Sequence, residues 1–164
     1  MTAKGKLSRM QFTIFQIITV VTAGLMVGNE LAVSAFVHPQ FRRLDDKCHV
    51  AASKSLALIY GRIMPFWYAL TLALTIGVAF TLRQNQPSFF FAVVAAILWF
   101  SLILFSIVRL VPINNQIGQL RLESLPDDWK NLRRRWDRLH AIRVGFLVIA
   151  LICLTVACQL PAHC

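Results

Sequence analysis

The chain has 164 residues, of which 57% are hydrophobic and 15% charged, and its formal net charge is +10. Soluble domains are about 45–50% apolar and about 25% charged, so a soluble domain of this length has no core large enough for so much apolar surface. The Lys and Arg residues lie between the apolar runs, as in membrane proteins, which speaks against a nucleic-acid partner.

Four apolar segments are long enough to cross a bilayer, which takes about 20 helical residues. They cover approximately residues 12–36, 56–82, 89–111 and 142–160. The first has no small-residue cleavage site and contains Asn29 and Glu30, so we interpret it as a retained span and not as a signal peptide. The sequence predicts an all-α integral membrane protein, an up-down four-helix bundle that forms one domain over residues 1–164.

Glu30 is the most informative residue of the first predicted span, because a charged side chain at bilayer depth is costly and usually marks function. Ser34 and His38 follow at steps of four, which places the three side chains on one face of a helix. Pro39 is expected to end that helix. The carboxyl of Glu30 is expected to be protonated or paired. The candidates for its partner are Arg62, Arg109, Arg143 and the histidines.

The second and third predicted spans are joined by the short turn 83–87, which makes them an antiparallel hairpin. Arg62 lies in the first turns of the second span, and Arg109 lies near the end of the third. Both have a structural interpretation, since long cationic side chains reach from a helix end to the membrane surface. Asn114 and Asn115 follow Arg109, and they either cap the third span or line a site.

An amphipathic segment precedes the fourth predicted span. Ser124 and Asp127 have capping-box spacing and Pro126 suits a first turn, so we expect a helix to begin there and to continue into the span. One face carries Trp129, Leu132, Trp136, Leu139, His140 and Arg143. The opposite face carries Lys130, Arg134 and Arg138, which are expected to lie toward anionic headgroups. The alternative to a functional role for the first face is an interfacial anchor.

The distribution of Lys and Arg predicts the orientation of the chain. The two longer connections carry ten of these residues, against four at the N-terminus and in the short turn. This bias places the longer connections in the cytoplasm and both termini outside.

Up-down topology gathers most of the polar side chains at one end of the bundle, the end formed by the two longer connections. We therefore expect a polar pocket that opens toward these connections, with Glu30 about two turns deeper. The side chains gathered there are His38, Arg62, Arg109, Asn114, Asn115, Trp136, His140 and Arg143.

With these motifs in order, the chain resembles the anthrone oxygenase-like family of small four-span membrane proteins. The residues that carry the resemblance are Ala23–Gly24, Gly28–Asn29–Glu30–Leu31, Val37–His38–Pro39, Val111–Pro112–Ile113–Asn114–Asn115, Trp129, Arg135–Trp136–Asp137–Arg138–Leu139–His140 and Arg143. The resemblance implies an oxidoreductase, embedded in a bacterial inner membrane, that oxidises a lipophilic anthrone-like or quinone-like aromatic molecule with molecular oxygen.

This activity needs a base, a group that holds the phenolate oxygen and an aromatic-lined slot. The resemblance implies that Glu30, His140 and Arg143 are catalytic, with His140 or Glu30 as the base. It implies substrate contacts for Asn29, His38, Arg109, Asn114 and Trp136. Here Arg143 and Arg109 hold the oxyanion, Asn114 orients the substrate and Trp136 lines the slot.

Three alternatives stay open at this point. We expect no cofactor, but Glu30, His38 and His140 would form a carboxylate and two-histidine set that suits iron or copper, with His49 as a spare ligand. Haem bound through one or two of the histidines is a related alternative. The protein is otherwise a non-enzymatic binder, an assembly factor or a transporter subunit. Association of the four short spans into a homodimer is a further expectation.

Overall fold

The computed structural model describes the backbone of residues 3–160 and the side chains of residues 10–160. The described chain forms four helices that are long and apolar enough to cross a membrane, Met10–Phe41, Asp46–Leu82, Gln86–Gln119 and Trp129–Gln159. We call them the first to fourth spans. The prediction of an all-α membrane bundle is confirmed, and the protein is a multi-pass membrane protein.

Each span packs against the next one in the chain, and the fourth returns to pack against the first, as in an up-down bundle. The third and fourth spans are in the most extensive contact. Small side chains let helices approach closely in a membrane, where apolar surface alone does not drive association. Those buried on these two spans are Ala92, Ala95, Ala150 and Ala157.

The half of the bundle near the short turn has an apolar core. Its large, fully buried side chains are Met26, Val78, Trp99, Leu147 and Leu154. The Ser88 hydroxyl of this region is buried without a partner within the described chain. Three other buried hydroxyls are satisfied within their own helices, since each donates to the carbonyl four residues earlier, at 2.8–2.9 Å. These hydroxyls belong to Thr19, Thr71 and Thr75. They therefore offer no free polar group to a ligand.

The first and third spans each contain a wide π turn. In Val33–Val37 and Ser106–Leu110 the helix widens, so that the N–H of the next residue donates to a carbonyl five residues back. Each turn ends two residues before a proline, Pro39 or Pro112. A proline lacks an N–H and its ring clashes with the carbonyl four residues earlier. The wider turn accommodates the ring, and the helix continues to Phe41 or to Gln119.

This geometry corrects the expectation that Pro39 ends the first helix, because the chain stays helical through Pro39. The start of the fourth helix is corrected as well. It begins at Trp129 and not at the capping box, since Ser124 forms an isolated bridge with Arg121 instead. The helix then runs without a break to Gln159, so the prediction of one long helix is confirmed.

The spans extend beyond the predicted apolar segments on the side of the two longer connections. Asp45 caps the second span by accepting hydrogen bonds from the Lys47 and Cys48 N–H groups. Hydrogen bonds from the Cys48 side chain and these N–H groups lower the pKa of Asp45. The Lys54 ammonium donates to the Leu120 carbonyl at 2.7 Å. These contacts hold the extended helix ends together and so build the rim of the cavity described next.

Candidate functional site

A cavity of about 270 Å³ lies between the four spans, toward the end formed by the longer connections. All four spans contribute to its lining. Most of its wall is apolar, and its polar side chains come from all four spans, with the largest share from the fourth. The polar members of the lining are Glu30, His38, Ser53, Tyr60, Tyr68, Ser106, Asn114, Arg133, Trp136, His140 and Arg143.

The Glu30–Arg143 ion pair lies at one end of this polar group. Arg143 Nη2 donates to Glu30 Oε2 at 2.6 Å, and the Tyr68 hydroxyl donates to Oε1 at 3.0 Å. Arg143 Nη1 donates to the Ser106 hydroxyl at 2.9 Å. Both oxygens of the carboxylate are therefore occupied, and its charge is compensated by a cation held in place from two sides.

His140 lies beside this pair. Its Nδ1 is 3.0 Å from Arg143 Nη2 and 3.6 Å from Glu30 Oε2. The imidazole is 2% exposed, and its neighbours include the His38 and Trp136 rings and the backbone of Glu30. Its orientation is consequently fixed by Arg143.

A second buried ion pair joins Arg133 and Asp137, with Arg133 Nη2 3.1 Å from Asp137 Oδ1. His38 Nδ1 lies 3.4 Å from the same oxygen. Arg42 approaches Oδ2 at 4.0 Å from a more exposed position. The Nδ1 of His38 thus lies next to a carboxylate, whereas the nearest charged atom to the Nδ1 of His140 is the Arg143 nitrogen, with the Glu30 carboxylate farther away at 3.6 Å.

Three rings form the aromatic part of the site. Trp136 stacks on His140 with ring centroids 4.7 Å apart, and it meets His38 edge to face at 4.8 Å. The centroids of His38 and His140 are 5.2 Å apart. The Arg133 guanidinium covers the Trp136 ring at 4.6 Å. The two imidazoles are therefore held side by side on a rigid aromatic support.

Several buried polar atoms of this group have no hydrogen-bond partner within the described chain. They include Nε2 of His38, Nε2 of His140 and Nε1 of Trp136. All three residues line the cavity. Buried polar groups are normally satisfied, and those that are not call for a ligand, water or function. These atoms are available to a polar group of a bound molecule.

The structure brings together six of the residues predicted from sequence, Glu30, His38, Asn114, Trp136, His140 and Arg143. Asn29 does not line the cavity. Its Oδ1 accepts a hydrogen bond from the Tyr60 hydroxyl at 2.8 Å, and its Nδ2 contacts Met64 Sδ. Arg109 is exposed and lies outside the cavity, as is Arg62, because both point away from the bundle.

The metal alternative does not fit this arrangement. Among the described residues, no group of three or more His, Cys, Asp or Glu side chains is placed to hold a metal ion. Both oxygens of Glu30 already accept hydrogen bonds, and His140 directs Nδ1 to Arg143. His49, the spare ligand, packs edge to face on Trp129 instead.

Sequence analysis did not identify three of the residues that organise the site, Tyr68, Arg133 and Asp137. A signal for Arg133 was present in the spacing of the fourth span. Trp129, Arg133, Trp136, His140 and Arg143 recur at steps of four and three, and all five are buried. This is the spacing of one inward helical face. Tyr68 stands in a similar buried run with Met64, Thr71 and Thr75, but its contact with Glu30 joins two spans and is not contained in the pattern of either one.

The comparison with known proteins gives one match. A protein-family model described as anthrone oxygenase matches residues 55–153 of the chain, which is more than half of its length. No curated protein and no solved structure matches the chain. The matched range contains most of the second span, the third span and most of the fourth, and therefore the side chains that these spans contribute to the cavity, except that of Ser53.

Proposed function

This chain belongs to the anthrone oxygenase family, and we propose that it is a membrane-embedded oxygenase for a lipophilic, anthrone-like phenol. The observation that carries the proposal is the cavity, in which unpartnered polar atoms of two buried histidines stand among apolar and aromatic walls. Its volume of about 270 Å³ is near the lower end of the range for small-molecule sites, about 300–1,000 Å³, and suits a planar molecule of a few fused rings.

The chemistry needs only groups that the cavity contains, together with molecular oxygen. A base removes one proton from the methylene carbon of the anthrone, and the electron pair moves onto the carbonyl oxygen as an enolate. The electron-rich carbon then forms a bond to O₂, which is reduced to a peroxide and takes up the proton. Loss of the second methylene hydrogen and cleavage of the O–O bond release water and leave a carbonyl. The CH₂ group and O₂ thus give C=O and H₂O.

The cationic side chains of the site have a defined part in this scheme. Negative charge develops on the substrate oxygen and then on the peroxide, and preorganised donors stabilise such charge best where water is excluded. Arg143 is held by Glu30 and Ser106, with its Nε unpartnered among the described residues. Glu30 is less suited to be the base, because Tyr68 and Arg143 occupy both of its oxygens.

A transport function is not favoured by this architecture. Transport needs a polar path that crosses the bundle. In the described chain the cavity is followed by the apolar core around Met26, Trp99 and Leu147, and the buried threonines there bond to their own helices. A non-enzymatic binder uses the same cavity without oxygen chemistry, and it is an outcome of the test below.

The test uses the purified protein in lipid nanodiscs with a hydroxylated anthrone. We expect oxygen uptake and formation of the coloured anthraquinone well above the rate with empty nanodiscs, which corrects for spontaneous oxidation. Arg143→Gln is expected to lower turnover by about 10²–10³-fold, as for loss of one preorganised donor. Arg138→Gln is the matched control on the exposed face of the same helix and is expected to stay near wild type.

Wild-type protein that consumes oxygen no faster than empty nanodiscs contradicts the proposal. If such protein still binds the anthrone stoichiometrically, the non-enzymatic binder takes its place. Equal loss of activity in Arg143→Gln and Arg138→Gln contradicts the assignment of the cavity as the site.

A further inference from the structure

The contact between Arg143 and His140 decides where the His140 ring holds its proton. A guanidinium only donates hydrogen bonds. Since Arg143 Nη2 lies 3.0 Å from His140 Nδ1, this nitrogen accepts, and a proton on it would place two donors face to face. The neutral ring then carries its hydrogen on Nε2, the atom that is buried without a partner in the described chain and belongs to a cavity-lining residue. His140 therefore presents an N–H donor.

The contact between Asp137 and His38 has the opposite consequence. An ionised carboxylate only accepts hydrogen bonds, and Asp137 is paired with the Arg133 cation at 3.1 Å. His38 Nδ1, which is 3.4 Å from Asp137 Oδ1, is thus the nitrogen that carries hydrogen. Its Nε2, also buried and unpartnered among the described residues, is left with a free lone pair. Asp137 Oδ1 accepts no hydrogen bond within the described chain and 3.4 Å is long for one, but catalytic hydrogen bonds are often long until substrate binds.

We propose that the two histidines are neutral tautomers of opposite kind and divide the reaction between them. His38 is the general base that removes the methylene proton through Nε2. His140 donates its Nε2–H to the substrate oxygen on which the negative charge develops. Asp137 is a positioning residue for His38, and the Glu30–Arg143 pair positions His140. The inference rests on the proposed oxygenase function and assigns its acid and base.

The logic of the His38–Asp137 pair is that of a catalytic triad, in which a buried carboxylate holds the histidine with its basic nitrogen toward the substrate. The two imidazoles lie side by side, with ring centroids 5.2 Å apart. In an anthrone the methylene carbon and the carbonyl carbon are on opposite corners of the central six-membered ring, and the oxygen projects beyond its corner, so that the methylene carbon and the oxygen are separated by a distance of the same order. A base on one histidine and a donor on the other can therefore serve one substrate molecule.

The first test reads the tautomers without any substrate. Protein labelled with ¹⁵N-histidine in nanodiscs is measured by two-bond ¹H–¹⁵N correlation, which distinguishes Nδ1–H from Nε2–H rings. We expect the His38 ring to be Nδ1–H and the His140 ring to be Nε2–H. Signals are assigned with His38→Gln and His140→Gln. If either variant fails to fold, His49→Gln and His163→Gln identify the other two signals, and the remaining pair must be of opposite kind.

Two rings with the same tautomer, or with the assignments exchanged, overturn the proposal. Asp137→Asn supplies the readout for positioning, because it removes the anion that selects the His38 tautomer. We expect a mixture of tautomers for His38 and no change for His140. An unchanged His38 signal in this variant overturns the role of Asp137.

The second test isolates proton removal from oxygen chemistry. Under anaerobic conditions in D₂O, the wild-type protein is expected to exchange the methylene hydrogens of a hydroxylated anthrone. His38→Gln is expected to slow this exchange by about 10²–10⁴-fold, the usual contribution of a general base. His49→Gln is the matched control, since His49 is buried nearby but does not line the cavity.

The outcomes distinguish failure of the proposed oxygenase function from failure of the assignment of His38 as its base. A wild-type protein that neither exchanges nor oxidises the anthrone contradicts the oxygenase function, whatever the tautomers are. A wild-type protein that oxidises it while His38→Gln exchanges at an undiminished rate keeps the function and overturns His38 as the base.

Discussion

At the scale of single residues, the site depends on a buried ion pair whose stability contribution can be measured. Glu30 and the Arg143 side chain are 2% and 10% exposed, and their closest atoms are 2.6 Å apart. Removing one partner leaves the other charge buried and uncompensated, which costs about 3–5 kcal/mol in proteins. We therefore expect Glu30→Gln and Arg143→Gln each to lower the free energy of unfolding by about this amount.

The double variant distinguishes the interaction energy of the ion pair from the separate effects of its two side chains. Because the second substitution removes a charge that is already unpaired, Glu30→Gln/Arg143→Gln should be destabilised by clearly less than the sum of the singles. The measurement is reversible denaturant unfolding in mixed micelles. Lys130→Gln is the control, since the Lys130–Asp46 pair is equally short, at 2.8 Å, but about half exposed, and such pairs contribute about 0–1 kcal/mol. Additive effects at Glu30 and Arg143 would contradict the prediction.

Sequence reasoning narrowed the partner of Glu30 to three arginines and the histidines, and could go no further. A carboxylate at bilayer depth requires compensation whatever the fold, so its pairing could be predicted. Which arginine supplies it depends on the rotation of each helix about its axis. The side chains of Arg62 and Arg109 face outward, whereas that of Arg143 faces inward, one turn from His140. Composition and hydropathy do not determine the rotation of a helix about its axis.

At the scale of elements, apolar length predicted the four spans but not their full extent. Hydropathy follows only the part of a helix that contacts lipid. The helical turns beyond it, from Asp46 in the second span and up to Gln119 in the third, contain polar residues and were expected to be connections. Pro39 suggested a helix end for a sound local reason, but the preceding π turn removes that reason, and a similar turn precedes Pro112. These turns depend on packing between spans.

The cavity also reaches the outer surface between the second and third spans, which gives a prediction for substrate entry. Gly61 and Pro65 on one side and Ile107 and Val111 on the other line it and are exposed. A lipophilic substrate would enter here from the bilayer. No side chain and no atom of another helix lies within 4 Å of a Cβ built on Gly61, so a side chain can leave the backbone there without a clash at its Cβ.

We expect Gly61→Trp to obstruct this opening and to lower kcat/KM for a hydroxylated anthrone by about ten- to a hundredfold, since misplacement of a substrate by about 1 Å already has effects of that size. The fold should stay intact, as judged by the unfolding midpoint. Gly145→Trp is the matched control, because Gly145 is exposed on the fourth span, equally uncrowded and outside the cavity lining. Unchanged kinetics in Gly61→Trp would contradict entry between these spans.

At the scale of the whole molecule, four charged residues mark one level of the bundle. Glu30, Arg62, Arg109 and Arg143 each border a long uncharged stretch of their span, and up-down topology brings these borders to the same side. Between Arg62 and Arg83 there are 20 uncharged residues, which as a helix measure about 30 Å, the thickness of the hydrocarbon core. Glu30 and Arg143 face inward and pair, whereas Arg62 and Arg109 face outward, as expected for side chains that reach the headgroups.

We therefore predict that the site lies at the membrane surface, with Glu30 and Arg143 at its lower edge and His38 and His140 among the headgroups. It can be measured on two side chains that are equally free of protein contacts. Leu58 and Phe66 are 67% and 79% exposed and lie one turn before and one turn after Arg62. In a background without native cysteines, Leu58→Cys should react several-fold faster than Phe66→Cys with a membrane-impermeant maleimide, because the thiolate forms only in contact with water. Nanodiscs expose both membrane faces, so slow reaction at Phe66→Cys reports lipid depth and not sidedness. Equal rates at the two positions would mean that the boundary does not lie at Arg62. Equally fast reaction would place both positions in water and contradict entry from lipid, whereas equally slow reaction would place the site deeper in the bilayer.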